Sequence, residues 1–317
     1  MITSTPGRVW SVAMVVGMSC VMLATLAACH RAQSGAQARS FATPQIAVVE
    51  LAKAVKSSDL AKVMAIFGPD AQALVDTSDV ATARRNQQVF TAAVAEHWRL
   101  ENAGPDRKTL VIGFEEWPFP IPLARDGREW RFDTAAGKEE ILARRIGRNE
   151  LAAIRISRTY VAAQRRYAKY GHDGKPAGIY AAIFRSDPVR QNGLYWEARH
   201  GRRRSPLGDL LASASIDAIP RRVSGERPKP FHGYYFRILT AQGAAAPGGA
   251  RDYVVNGELT GGFALVAWPS QYDVTGIMTF VVNQDRVVWE RDLGPGTDAA
   301  ARAISTYDPD STWAAVR

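Results

Sequence analysis

The chain has 317 residues, 46% of them hydrophobic, which is enough for one elaborated domain or two small ones. Its 40 basic and 31 acidic residues give a formal net charge of +9 at pH 7, and this surplus favours anionic neighbours. Two cysteines exclude a disulfide-rich scaffold, and the five histidines lack metal-ligand spacing, so we expect neither a metal site nor a cofactor.

The first residues have the pattern of an export signal. Arg8 precedes an apolar run from Val12 to Leu26, which is too short and too small in its residues for a convincing membrane span. The run ends in Leu26-Ala27-Ala28-Cys29, which resembles a bacterial lipobox, where the cysteine is acylated and becomes the mature N-terminus. We therefore expect residues 1–28 to be a lipoprotein signal peptide and Cys29 to carry lipid. An ordinary thiol behind a plain cleavage site is the alternative.

Residues 29–40 predict a flexible tether, because they are rich in small and polar residues and have no apolar periodicity. His30 would be the second mature residue, where an acidic residue would indicate retention at the inner membrane. We therefore expect a lipid-anchored protein of the cell envelope, with the outer membrane, facing the periplasm, favoured over the inner membrane. Cys20 would leave with the signal, so the mature chain would have no disulfide.

Three helices are predicted at the start of the folded part. Thr43 followed by Pro44 marks the start of the first helix, and the apolar spacing after it is amphipathic. Ser57-Ser58-Asp59 starts the second helix, which Gly68-Pro69 ends. Residues 84–100 predict the third helix. One of its sides carries Phe90, Val94 and His97.

The sequence then changes to strand character. Residues Lys108–Phe114, Trp117–Leu123 and Glu129–Phe132 are β-prone, and the prolines of the second segment suit an edge strand or a bend. Helices followed by a curled antiparallel sheet resemble the nuclear-transport-factor-like, or cystatin-like, cone fold. In such a sheet Trp130 and Phe132 should share one largely buried side.

A long helix and a second sheet are predicted from Lys138 onward. The helix extends to Tyr170 with an interruption near Gly147-Arg148-Asn149, where Asn149 can cap a second segment. One face of it should pack and the other should be basic. The basic residues are Arg148, Arg155, Arg158, Arg165, Arg166 and Lys169. The predicted strands are Tyr234–Thr240, Gly262–Trp268, Thr275–Val282 and Val287–Asp292, with a hairpin turn at residues 283–286.

Several long strings are shared with a known family. They are residues 117–123, 130–137, 145–151, 232–239 and 261–269, among them Trp117-Pro118-Phe119-Pro120 and Gly233-Tyr234-Tyr235-Phe236. In these strings the chain resembles the bacterial envelope family catalogued as domain of unknown function 2950. The resemblance covers Phe41 to Trp313. It implies no particular activity, because the name of the family states that its function is unknown.

A weaker resemblance concerns the second half of the chain. The order of residues 160–168, 233–236 and 276–285 is similar to that of the soluble heads of type IV pilins and pseudopilins, in which a helix lies on an antiparallel sheet. The charged residues 138–150 stand where pilins have their apolar polymerising helix. We therefore expect an α+β protein with a cone-like domain at 41–137 and a pilin-head-like domain at 138–317.

Four residues could support catalysis. Glu115, Glu116 and Asp133 lie near one another in sequence, and carboxylates beside an aromatic residue can act as general acid and base. His97 could face the interior of the cone. Adjacent glutamates on a strand point to opposite faces, and a lone histidine is commonly a hydrogen-bonded core residue, so structural roles are the alternative. The enzyme hypothesis is a small hydrolase or isomerase that uses the cone interior.

The other hypothesis is a non-catalytic envelope module that binds an unknown envelope protein or an anionic component. A basic stretch between Arg199 and Lys229 contains few opposing charges. Outside the cytoplasm its partner would be anionic envelope lipid, lipopolysaccharide or another acidic polymer rather than nucleic acid. A solvated surface loop is the alternative. The candidate anion-binding residues are Arg202, Arg203, Arg204, Arg221 and Arg222.

Overall fold

The computed structural model describes residues 38–71, 80–197, 204–208 and 229–317. The predictions for the signal segment, for Cys29 and for Arg202, Arg203, Arg221 and Arg222 lie outside these residues. Within the described residues, one apolar core contains side chains from Phe41 to Phe132 and another contains side chains from Ala153 to Val316. Both combine helices with antiparallel sheets, which confirms the α+β class.

The helices of the first core begin where local signals place them. The Thr43 side chain accepts a hydrogen bond from the Ile46 amide, and the Asp59 side chain accepts one from the Lys62 amide. Both predicted helix starts are therefore confirmed. The helical elements are α1 (Pro44–Lys56), α2 (Leu60–Phe67), a short 3₁₀ helix (Pro69–Ala71) and α3 (Val80–Glu96).

The first sheet follows directly. Its strands are β1 (Trp98–Gly104), β2 (Arg107–Ile112), β3 (Trp117–Pro118), β4 (Leu123–Asp126) and β5 (Glu129–Phe132). Their order is β1-β2-β4-β5, with β3 also paired to β2, and all pairs are antiparallel. The prediction that the third helix continues to Leu100 is wrong, because Trp98 to Leu100 pair with Ile112 to Leu110 as a strand.

Aromatic rings close the first core. The Phe132 ring lies 5.2 Å from that of Phe67 and 6.2 Å from that of Phe119, and Phe132 is 1% exposed. Trp130, predicted to be largely buried as well, is only half-buried. It lies nearer the rim of the sheet, where the charged groups of Lys108 and Arg125 each lie 5.9 Å from its ring.

A helix of 35 residues, α4 (Thr134–Ala168), contacts both cores. Asp133 caps it by accepting a hydrogen bond from the Ala136 amide, and the Thr134 hydroxyl donates to the carbonyl of Phe67 at 2.6 Å. The predicted interruption near residues 147–149 is wrong. The Asn149 side chain does not cap a new segment but donates to the carbonyl of Thr275 at 2.8 Å, and the helix continues through it.

The second sheet lies against α4. Its strands are β6 (Tyr234–Leu239), β11 (Ala264–Pro269), β12 (Met278–Asn283), β13 (Val288–Asp292) and β14 (Ala314–Ala315), in the order β14-β13-β12-β11-β6. The hairpin between β12 and β13 is confirmed, since the Arg286 amide donates to the Asn283 carbonyl at 3.1 Å. The remaining elements are β7 (Ala241–Gln242), β8 (Arg251–Asp252), β9 (Val254–Val255), β10 (Glu258–Leu259) and α5 (Thr297–Ala303).

Buried polar groups join α4 to this sheet and to the segment that follows the helix. Gln164 is 0% exposed, and its amide nitrogen donates to the Ala181 carbonyl at 2.7 Å while its oxygen accepts from the Ala181 amide at 2.9 Å. The Tyr160 hydroxyl donates to the carbonyl of Ala264 on β11 at 3.1 Å. One carboxylate oxygen of Glu150 accepts from two backbone amides, those of Ile277 and Met278.

The detailed likeness to a cone and to a pilin head stays a prediction. Among the described residues, every helix is too short or too polar to cross a membrane.

Candidate anion-binding cleft

The solvent side of α4 is strongly basic along its second half. The six cations predicted for this face lie on one side of the helix at 100° per residue and are all exposed: Arg148, Arg155, Arg158, Arg165, Arg166 and Lys169. At the rise of an α-helix they extend over about 31 Å. The carboxylate in this stretch, Glu150, is half-buried and bonded to the sheet. The predicted basic face is confirmed, but Leu151, which was expected on the packed face, is 67% exposed.

At the C-terminal end of α4 the basic face meets a cleft of about 680 Å³. Three helix cations and Arg204, which comes from the predicted basic stretch, line it together with two aromatic residues. None of the described lining residues is acidic. The lining residues are Arg165, Arg166, Lys169, Tyr170, His172, Trp196, Arg204 and Pro206.

The floor of the cleft is packed. The His172 ring is stacked on Tyr167, with centroids 4.1 Å apart, and lies 5.5 Å from the Trp196 ring. A ring nitrogen of His172, Nε2, lies 3.0 Å from the Tyr167 carbonyl. Burial raises the pKa of the Tyr167 phenol to about 12, so the phenol stays protonated at neutral pH and donates to the Gln191 carbonyl at 3.0 Å. These contacts hold the aromatic wall in place behind the cations.

The cations of the cleft differ in how they are held. The Arg165 guanidinium donates to the carbonyl of Gln284 in the β12–β13 hairpin at 2.8 Å, which ties the helix end to the second sheet. The Lys169 ammonium lies 5.6 Å from the Tyr170 ring. Arginine can bind phosphate or carboxylate oxygens through paired charge-assisted hydrogen bonds. The arrangement is therefore suited to holding an anion against an aromatic wall.

The four catalytic candidates lie in three different places in the chain fold: after the end of α3, in the turn between β2 and β3, and at the start of α4. His97 is exposed, so its expected interior position is wrong: α3 ends at Glu96, and the helical spacing that pointed His97 inward no longer applies. Glu115 and Glu116 are exposed in the turn between β2 and β3, and Glu116 accepts from Arg99 at 2.8 Å. Asp133 is half-buried, caps α4 and accepts from Arg107 at 3.0 Å. Hydrogen bonds of the described residues join no two of these four side chains.

Sequence reasoning identified Arg204 and the basic face of α4 separately and missed that they meet. The signal that was present is the run of basic residues to the last turn of the helix, Arg165, Arg166 and Lys169. The aromatic wall gave no signal, because Trp196 lies 27 residues after Lys169 in sequence. In the described part of the chain, no group of three or more histidine, cysteine, aspartate or glutamate side chains could hold a metal ion.

A family model described as protein of unknown function (DUF2950) matches residues 38–316, which is nearly the whole chain. No curated protein and no solved structure matches the chain. The matched residues include both cores, helix α4 and all the described residues that line the cleft.

Proposed function

We propose that this chain, which belongs to the family described as protein of unknown function (DUF2950), has a binding role. It is a lipid-anchored, non-catalytic protein of the cell envelope that holds an anionic envelope component in the cleft at the end of α4. One observation carries the proposal. Arg204 lies in the same cleft as Arg165, Arg166 and Lys169, where none of the described lining residues is acidic. The ligand chemistry is phosphate, carried by a lipid headgroup or by a phosphorylated polymer such as lipopolysaccharide.

The anchor half of the proposal rests on Leu26-Ala27-Ala28-Cys29. An acylated Cys29 would hold the folded part at a membrane surface, with the outer membrane, facing the periplasm, as the favoured address. Cys29→Ser should abolish incorporation of a fatty-acid probe, and unchanged labelling would reject the anchor.

The expected affinity for an anionic ligand follows from the number of cations in the cleft. A lysine or arginine near an anionic bilayer surface contributes about 1 kcal/mol, so the four cations of the cleft would together contribute about 4 kcal/mol, roughly a thousandfold in affinity. Exposed charges are screened beyond about 8 Å at physiological ionic strength, so binding should weaken steeply with salt. The hydrolase or isomerase alternative needs a convergent acid and base, and no hydrogen bond among the described residues joins two of the candidates for those roles.

The test uses the full-length chain in neutral detergent micelles. One arm titrates it with deacylated lipopolysaccharide and the other with micelles doped with phosphatidylglycerol, so that polymer and lipid sources of phosphate are distinguished. Arg166→Gln combined with Lys169→Gln should weaken binding by about tenfold or more, two cations each contributing about 1 kcal/mol. The matched control, Arg84→Gln with Arg85→Gln, removes the same charge from exposed positions on α3. Equal loss in both double variants, or no binding in either arm, would overturn the proposal.

A further inference from the structure

The turn between β2 and β3 exposes two large aromatic side chains. Phe114 is 77% exposed and Trp117 is 46% exposed, although both lie within five residues of the buried end of β2. Large exposed aromatic residues that lie close together are typical of binding surfaces, where they supply much of the binding energy. Among the described residues, Phe119 and Arg144 lie against the Trp117 ring, whereas most of Phe114 is open to solvent.

The turn is held in one conformation. The Glu116 amide donates to the Gly113 carbonyl at 3.1 Å, and the Gly113 amide donates to the His97 carbonyl at 2.8 Å. Glu116 has a φ of 53°, a left-handed conformation that is unfavourable for a residue with a side chain and that is often kept at functional sites. The Arg144 guanidinium lies 5.8 Å from the Trp117 ring. A surface that is already ordered loses less entropy when it binds.

The surroundings of Phe114 are acidic. Four carboxylates lie on or beside the turn, and two guanidinium groups, those of Arg99 and Arg144, lie among them. Net negative charge opposes insertion of the turn into an anionic bilayer and favours a basic partner surface. The carboxylates are those of Glu96, Glu101, Glu115 and Glu116.

The complementary surface is present on the same chain. The cleft at the end of α4 is basic and has an aromatic wall, whereas the turn is acidic and aromatic. A chain cannot place its own turn in its own cleft: Arg144, beside Trp117, and Lys169, the residue that caps the end of the same helix, are 25 residues apart, about 38 Å at the rise of an α-helix. At 100° per residue, the positions of Arg144 and Lys169 lie within about 20° of each other around the helix axis.

We propose that the Phe114 turn of one copy docks in the cleft of a second copy. The partner is thus another molecule of this chain, joined head to tail, with Phe114 against the Tyr170 and Trp196 wall and Glu115 near Lys169. The proposal rests on the proposed function in that the cleft is an anion-binding site. A head-to-tail contact leaves one turn and one cleft open, so it adds further copies until the arrangement closes. A phosphate-bearing ligand and the second copy compete for the same cations.

The experiment is a photocrosslink between full-length copies in neutral detergent micelles. One copy carries benzoylphenylalanine in place of Phe114, and the other is isotope-labelled and unmodified, so that crosslinks between copies are recognised by mass. The crosslinked peptide of the labelled copy should contain Tyr170 or Trp196. The matched control places the same crosslinker at Val89, which is 62% exposed on α3, and should give about tenfold less product or lower.

Charge reversal makes the test specific. Glu115→Lys in the crosslinking copy, or Lys169→Glu in the labelled copy, should each lower the yield by about tenfold or more, and the two reversals together should restore it. A yield at position 114 no higher than at Val89, crosslinks confined to other peptides, or no restoration by the paired reversals would overturn the docking. The two proposals fail separately: Glu115→Lys should leave binding of deacylated lipopolysaccharide unchanged, so phosphate binding without a crosslink rejects only the self-contact.

Discussion

The first core and the second core differ in the kind of side chain that they bury. Of the buried polar side chains among the described residues, Thr134 lies against the first core, where its hydroxyl donates to Phe67. The second core buries whole amide groups, among them Gln164, Gln242 and Asn283. An apolar core is specified mainly by volume, whereas a buried amide must find every hydrogen-bond partner. Equally buried side chains in the two cores should therefore be sensitive to different substitutions: the first core to a loss of volume and the second core to a loss of hydrogen bonds.

A large loss of stability is expected in the first core, where the volume of the buried side chains sets the unfolding free energy. Phe132→Ala removes a 1% exposed ring that contacts Phe67 and Phe119, and truncation of such a ring costs about 3–5 kcal/mol of unfolding free energy. Trp130→Ala is the matched variant on the same strand and should cost less, because Trp130 is only half-buried. Urea denaturation of both variants measures the difference. Equal losses would show that the exposed fraction does not set the cost here.

The second core should instead be sensitive to loss of hydrogen bonds at constant size. Gln164→Leu keeps most of the side-chain volume but leaves the amide and carbonyl of Ala181 without their partner. Each buried unsatisfied group costs about 1–3 kcal/mol, so we expect the two groups together to cost about 2–6 kcal/mol. Gln271→Leu, at an exposed position, should change stability by less than about 0.5 kcal/mol. If thermal denaturation finds Gln164→Leu neutral, the contrast between the cores fails.

The smallest effect concerns the helix that contacts both cores. Asp133→Ala removes the cap of α4 and its ion pair with Arg107, and loss of such a cap costs about 1 kcal/mol. Asp126→Ala removes an exposed ion pair with Arg131 but no cap, and should cost less than about 0.5 kcal/mol. Equal melting temperatures for the two variants would argue against the capping role.

Features that depend on neighbouring residues in sequence were predictable, whereas features that depend on contacts between distant residues were not. Thr43 and Asp59 predict the two helix starts because the amides that they cap are only three residues away in sequence. Asp133 carried the same signal and was taken instead as a catalytic candidate. The continuity of α4 through Gly147 could not be predicted, since the group that engages Asn149 is the carbonyl of Thr275, 126 residues later. Tertiary contacts of that kind override the weak helix propensity of a glycine.

The candidate site follows the same rule. The basic face of α4 was predictable because its residues repeat at helical spacing within one element. The cleft was not, because Arg204 and Trp196 reach the end of α4 only through the fold of the segment between them. The exposed position of His97 was not predicted for a similar reason. The apolar spacing predicts a helix to Leu100, but Trp98 pairs with Ile112 as a strand, so the helix ends about one turn earlier.

The Glu150 carboxylate has a consequence for the order in which the molecule is completed. Its two amide partners, Ile277 and Met278, lie 127 and 128 residues downstream, whereas the first core is assembled from one contiguous stretch that ends at Phe132. Closing a loop of that length costs about 4 kcal/mol in chain entropy. During synthesis from the N-terminus, the first core can therefore form before the second sheet covers the apolar face of α4. A chain stopped before β12 would have a complete first core, and the face of α4 that packs against β12 would be exposed to solvent.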